Sequence, residues 1–276
     1  MHGSVPVMYF DEGEGPAVLF VHGLGANLTH FEYLIPPLRA AGYRVCGLDL
    51  PGFGLSGKPH REYTFEYLSD ALLNLMDHLG LRSATLCGHS LGGMVVADVA
   101  LRAPSRADRL VLISSAGLVQ IPLAVRLAGL TLMRPGLMSV LLERNALRLL
   151  DLVLADKENN EKSLRFVEQS VTRPDRRFCP DLARVMWSMR KDLTGRHLLD
   201  DVERLLQPTL VIWGGADRLL PLGPVPAFVE RLPSGELEVI EGCGHMPIIE
   251  KPEAVSSRML TFLSRAKSRA RAAGRR

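Results

Sequence analysis

Ser90 sits within Gly88-His89-Ser90-Leu91-Gly92, after the strand-like run Ala84-Thr85-Leu86-Cys87 and before the mostly apolar, helix-like stretch 94–101. A G-x-S-x-G between a buried strand and a helix puts the serine on a turn so tight that only small residues fit on either side. The hydroxyl is then held out as a nucleophile. The helix opening at Leu91 aims free amide groups and the positive end of its dipole at the same point. A serine hydroxyl is a poor nucleophile at neutral pH. It needs a base, and that base needs a carboxylate to orient it and to stabilise the imidazolium that forms. Asp217 follows an apolar run through Trp213-Gly214-Gly215-Ala216, and His245 follows the next such run through Glu241-Gly242-Cys243-Gly244. Strand ends on one edge of a parallel sheet are where such groups converge. Taken together, Ser90, Asp217 and His245 suit acyl transfer through a serine ester, with activity expected to fall on the acid side as His245 becomes protonated. An aspartate at position 217 would equally suit a turn cap. The other histidines lack this setting: His2, His30, His60, His78 and His197 fall in a terminus, loops or helices, while His22 and His89 belong to neighbouring turns.

These residues call for a sheet to carry them. Strands are expected around the turn 11–16, with the second, 17–21, continuously apolar as a strand buried on both faces should be. A helix at about 31–42 and a strand at 43–48 follow. Helical spacing over 63–79 has Thr64 as a plausible N-cap and Gly80 as its stop. After the Ser90 strand and helix come strands at 109–114, 207–213 and 237–240, and a last helix from about Pro252. This alternation predicts an α/β fold: a mostly parallel β-sheet with helices on both faces. Between 117 and 201 no β-like run occurs. Residues 126–154 are rich in leucine and methionine and broken at Pro135-Gly136, 157–178 are polar and charged, and 182–189 turn apolar around Trp187. The expected organisation is therefore a core of 1–116 and 202–276 with an inserted α-helical cap, 117–201. In that cap Leu127, Leu130, Leu132, Met133, Leu137, Met138, Leu141 and Leu142 suggest an apolar acyl or alkyl pocket, and would serve equally as the cap's own core.

A chain of 276 residues can build a full core without disulfides. Cys46, Cys87, Cys179 and Cys243 have no paired spacing, and Cys243-x-His245 lacks a second ligand pair, so no metal is expected. Gly52-Phe53-Gly54-Leu55-Ser56-Gly57 satisfies the dinucleotide fingerprint, but Pro51 and Pro59 bracket it and no helix begins at Gly57. No cofactor is implied. The first residues do not read as a signal peptide, and the longest uncharged run, 110–125, is too short and too interrupted to span a bilayer. A cytoplasmic location without stable membrane insertion is expected. The net charge of +3 conceals a mildly acidic body, because six basic residues, Arg265, Lys267, Arg269, Arg271, Arg275 and Arg276, crowd the last twelve positions. That tail reads as a solvated helix end, and no nucleic-acid partner is expected.

With His22-Gly23-Leu24-Gly25, Asp49-Leu50-Pro51-Gly52-Phe53-Gly54-Leu55-Ser56, the Ser90 turn, Trp213-Gly214-Gly215-Ala216-Asp217 and Gly244-His245-Met246-Pro247, the chain resembles α/β-hydrolase-fold serine enzymes of the carboxylesterase type. The match covers 17–116 and 207–263 and leaves the cap outside. The resemblance implies an oxyanion hole made by the backbone amides of Leu24 and Leu91, each such donor typically worth about 3 to 4 kcal/mol of barrier. It also implies hydrolysis of a small-molecule carboxylic ester with an apolar acyl or alkyl group. Related carbon–carbon bond hydrolases of the ring-cleavage type share the serine, histidine and lid, but usually carry tryptophan after the histidine, where this chain has Met246. Acyl transfer or perhydrolysis could use the same acyl-enzyme, and a non-catalytic ligand-binding protein on this scaffold is a further alternative. Dehalogenases and epoxide hydrolases of similar fold have aspartate in place of Ser90.

Overall fold

In the computed structural model, which describes residues 2–118, 134–156, 161–171, 178–195 and 198–273, seven strands make one sheet. They are β1 (Tyr9–Glu12), β2 (Ala17–Val21), β3 (Arg44–Leu48), β4 (Ala84–His89), β5 (Ala107–Ile113), β6 (Thr209–Gly214) and β7 (Gly235–Ile240). Their order is β1-β3-β2-β4-β5-β6-β7. β1 runs antiparallel to β3, and every other pairing is parallel. The central strands are largely apolar, β2 wholly so, because both faces are covered. Their side chains alternate between two cores: Leu19, Val21 and Leu86 enter one, Val18, Phe20 and Cys87 the other.

Helices α2 (Phe65–His78) and α3 (Leu91–Arg102) fill the first core, with Leu68, Leu72, Met76, Val95 and Val99 buried among the strand side chains. The second core is closed by α1 (Ile35–Ala40) and by α9 (Pro252–Ala273), whose Val255, Met259 and Phe262 face the sheet. α2 starts as its sequence predicts: the Thr64 side chain accepts from the Tyr67 amide, and Gly80 follows with φ +68°. The helix expected at 31–42 is instead a 3-10 turn, Leu28–Phe31, followed by the shorter α1. Pro36 and Pro37 are the reason, since proline fits only the first turn of a helix.

Among the described residues between β5 and β6 are three α-helices, α4 (Pro135–Val153), α5 (Glu161–Val171) and α6 (Phe178–Gly195). α6 is seated on the loop before α2: Asp192 accepts from the Phe65 amide at 2.8 Å, Arg184 donates to the Pro59 carbonyl at 2.9 Å, and Val185 and Met189 are buried in the first core. Leu127, Leu130, Leu132 and Met133 lie outside the described residues. α7 (Val225–Arg231) joins β6 to β7, and α8 (Pro247–Glu250) is a single turn following His245. The Gly52–Gly57 segment closes on itself, with the Gly52 amide on the Gly57 carbonyl at 2.9 Å. It wraps the Asp49 carboxylate, which accepts from Leu28 and Leu55 amides; a Cβ on Gly54 would lie 2.1 Å from that carboxylate.

No helix among the described residues is long and apolar enough to cross a membrane. Of the basic residues near the end of the sequence, Arg265 pairs with Glu236 of β7 at 2.9 Å. All four cysteines are free thiols, and Cys46, Cys87 and Cys243 are buried. Burial, helped by the nearby Asp11 carboxylate, pushes the Cys46 thiol up to about 12, and burial also raises Cys87 and Cys243. Partial burial raises the Cys179 thiol as well, but it alone of the four is not buried, so native alkylation at pH 8 is expected to modify Cys179 alone. Peptide mass mapping of the alkylated protein checks this.

Candidate active site

Ser90 lies between β4 and α3 with φ 53° and ψ −117°, a conformation that costs a non-glycine residue about 1–3 kcal/mol. Three backbone hydrogen bonds hold it there. The Ser90 amide donates to Ile113, and its carbonyl accepts from Gly93 and Ala116, each at 3.0 Å. The flanking glycines are steric necessities. A Cβ on Gly88 would lie 2.3 Å from the Gly92 carbonyl oxygen, and one on Gly92 would lie 2.0 Å from that of Val21. Gly92→Ala is therefore expected to cost at least about 1–3 kcal/mol of stability, as forced overpacking does. The urea midpoint of the purified variant measures it, and an unchanged midpoint would contradict the tight turn.

His245 reaches Ser90 from the loop after β7. Its Nε2 accepts the Ser90 hydroxyl at 3.0 Å, and its Nδ1–H donates to Asp217 Oδ2 at 2.8 Å. Asp217 sits in the loop after β6. Its other oxygen accepts the Leu219 and Leu220 amides at 2.9 and 2.8 Å. The carboxylate is fully buried, so these donors replace the water it has lost. The capping role that an aspartate could play in this turn and its contact with the histidine are thus filled by different oxygens of one side chain. The three residues come from distant parts of the sequence and meet in a single chain of hydrogen bonds.

Two other histidines brace the surroundings. His22 Nδ1–H donates to the Gly23 carbonyl at 2.8 Å, and its Nε2 accepts the Leu50 amide at 3.0 Å. Burial holds its pKa below the ordinary histidine value, which keeps the ring neutral and able to do both. His89 Nε2–H donates to the His245 carbonyl at 2.8 Å. Its burial, and the charge that His245 would carry, push its pKa well below the usual value. His89 therefore does not compete for the proton passed between Ser90 and His245.

The turn after β2 packs directly on the serine, since a Cβ on Gly23 would lie 3.0 Å from Ser90 Cβ. Among the described residues the amides of Leu24 and Leu91 have no hydrogen-bond acceptor. One lies in that turn and the other directly follows Ser90 at the start of α3, where first-turn amides lack intrahelical partners. A cavity of about 1280 Å³ opens over Ser90, Leu24 and His245. Its walls include Leu142, Leu149 and Leu150 of α4, Phe166 of α5, and Phe178 and Leu182 of α6. Of the described residues between 117 and 201 singled out from sequence, Leu142 lines it, whereas Leu137 and Leu141 are exposed. On one helix these positions point different ways, and the apolar wall comes as much from α5 and α6.

Sequence reasoning did not reach the bracing roles of His22 and His89, nor that of Glu250, a buried carboxylate five residues after His245. An acidic residue after Pro247-Ile248-Ile249 in a buried turn was the available signal, but two of its partners are the backbone amides of the remote Ala155 and Asp156.

The comparisons with known proteins agree with this fold. A family model described as alpha/beta hydrolase fold matches residues 16–252. A dihydrolipoyllysine-residue acetyltransferase component of an acetoin cleaving system from Pseudomonas putida is 35% identical over 262 residues, 91% of this chain and 64% of that protein. This chain thus spans less than two thirds of that relative's length. A 2-hydroxymuconate semialdehyde hydrolase from Pseudomonas putida is 30% identical over 263 residues, 93% of this chain and 90% of that protein. A thermophilic esterase from Thermogutta terrifontis superposes with a TM-score of 0.80 at 24% identity, covering 95% of this chain and 94% of that one, a likeness of fold. With its seven-stranded sheet, its strained serine turn and a family match across most of its length, the chain belongs to the alpha/beta hydrolase fold family.

Proposed function

We propose that the protein is a serine hydrolase that cleaves a carboxylic ester with an apolar acyl or alkyl group through an acyl-enzyme. The carrying observation is the Ser90–His245–Asp217 hydrogen-bond chain, at 3.0 and 2.8 Å, beneath a large, mostly apolar cavity. Ser90 attacks the ester carbonyl while His245 takes its proton, and Asp217 holds the imidazole in the tautomer that allows this. The Leu24 and Leu91 amides donate to the oxyanion. His245 then protonates the leaving alcohol, and a water deprotonated by the same histidine releases the acid. In this reading residues 1–116 and 202–276 form the core and 117–201 the cap. The four free thiols fit a reducing compartment, and the reading places the enzyme in the cytoplasm.

A second reading, carbon–carbon bond hydrolysis of a ring-cleavage product, is favoured by the identity to the 2-hydroxymuconate semialdehyde hydrolase. It shares the serine and histidine but asks for a dienone substrate. The discriminating experiment sets p-nitrophenyl esters of increasing acyl length beside such a dienone. The ester reading expects turnover of the esters, rising with acyl length until the cavity is filled, and dienone cleavage at least tenfold slower in kcat/KM, the scale of about 1.4 kcal/mol in barrier. Faster dienone cleavage would overturn it in favour of the second reading.

A further inference from the structure

Glu250, the last residue of α8, is 3% exposed. Its Oε1 accepts the Gly244 amide at 2.9 Å, and the Cys243 thiol lies 3.6 Å from the same oxygen. Its Oε2 accepts the amides of Ala155 at 2.8 Å and Asp156 at 3.4 Å. One oxygen thus serves the residue before His245, and the other serves the segment that leaves α4 of the cap. The two segments also touch directly. The His245 amide donates to the Val153 carbonyl at 2.7 Å, and a Cβ on Gly244 would lie 2.7 Å from both that oxygen and the Ala155 nitrogen. A carboxylate taken out of water is expensive unless donors replace the water. The rest of α8, Pro247, Ile248 and Ile249, is buried and apolar, so packing alone would be met by another apolar side chain.

We propose that Glu250 is a positioning residue that makes the seating of His245 depend on the docking of the α4 end of the cap against the core. The proposal rests on the serine-hydrolase reading. Asp217 orients the His245 ring, whereas the His245 backbone is held by Val153, by His89 and, through Gly244, by Glu250. Two of those three restraints come from, or are shared with, the 153–156 segment. When that segment is docked, Nε2 stands 3.0 Å from the Ser90 hydroxyl. When it lifts, the Val153 bond breaks, Glu250 loses its Oε2 partners, and the histidine loop is released. A displacement of about 1 Å at a reacting pair can cost on the order of 100-fold in rate.

The test is inactivation by a fluorophosphonate, which reads activation of the serine without needing the natural substrate. The inactivation constant kinact and the binding constant KI are measured for the intact chain, Glu250→Gln, Ala155→Pro and the double variant, with folding checked by circular dichroism. Glu250→Gln keeps the size but turns an amide hydrogen donor toward backbone donors. Ala155→Pro removes the cap-side N–H and puts a ring carbon where that hydrogen pointed at Oε2, so Glu250 keeps its charge but must withdraw from this contact; Leu154 already has the extended backbone (φ −110°, ψ 133°) that a following proline requires. Each single variant is expected to lower kinact by about 10- to 100-fold with KI unchanged, and the double variant to fall no further, because both break one clamp. Wild-type kinact in folded Glu250→Gln, an effect confined to KI, or additive losses would overturn the proposal. Should Glu250→Gln not fold, the same criteria applied to Ala155→Pro decide. If the intact chain is not labelled, or if Ser90→Ala is still labelled at the same site, the serine-hydrolase reading itself fails, and the clamp with it. Labelling of the intact chain with undiminished rates in the variants would sink the clamp alone.

Discussion

Ser90→Ala is expected to abolish fluorophosphonate labelling and to lower ester turnover by about 10⁶-fold, to the residual rate that binding and oxyanion donors alone can support. The reasoning is geometric. The described structure offers one hydroxyl in contact with the imidazole of a buried Asp–His pair, at 3.0 Å. It stands on a turn that glycine alone can flank. Alanine fits that turn without strain beyond what serine already bears, so the fold should persist while the nucleophile is gone. His245→Ala is expected to fall by a similar factor, and the double variant scarcely further, because the two groups act in one step. Intact mass after labelling and initial rates with a p-nitrophenyl ester check both. A Ser90→Ala protein with undiminished labelling would place the reactive group elsewhere, and an intact chain that resists labelling would favour a ligand-binding role for the scaffold.

Asp217→Asn is expected to lower kcat by about 10⁴-fold while leaving the fold in place. Asp217 Oδ1 accepts two amides, from Leu219 and Leu220. An asparagine in this position keeps its carbonyl oxygen toward those donors, which directs its NH2 group at His245 Nδ1. That nitrogen must then accept, the imidazole proton moves to Nε2, and Nε2 meets the Ser90 hydroxyl with a hydrogen where a lone pair is needed. The loss should lie in kcat with little change in KM, since no contact to the cavity wall is altered. It should ease as pH rises, because hydroxide can take over part of the base's task. A variant within tenfold of the parent at neutral pH would show that Asp217 is a turn cap only.

Much of the arrangement was legible in the chain itself. Apolar runs such as 17–21 and 110–113, separated by helical spacings, specify a buried parallel sheet because strands covered on both faces have no polar side to show. Gly88 and Gly92 around Ser90 mark the elbow because the backbone there approaches Val21 and Gly92 too closely for any side chain. Asp217 and His245 could be chosen because each closes a strand on the same edge of that sheet. These are local signals: spacing, residue size and strand termination, all written within a few neighbours along the chain.

What only the folded chain decided involves partners far apart in sequence whose chemistry lies in the backbone. Pro36 and Pro37 shortened α1, which a count of apolar positions alone did not foresee. Leu142 faces the cavity while Leu137 and Leu141 on the same helix are exposed, because the orientation of α4 depends on its packing against α6 and on where its end meets the His245 loop. His22 and Glu250 have side chains whose types suggest catalysis, yet both bind main-chain groups: His22 those of Gly23 and Leu50, Glu250 those of Gly244 and Ala155. Backbone amides and carbonyls are the same at every non-proline position, so a sequence does not mark which of them a buried polar side chain will meet. Side-chain identity could nominate the reacting groups; tertiary packing alone could choose the main-chain donors and acceptors that hold them in place.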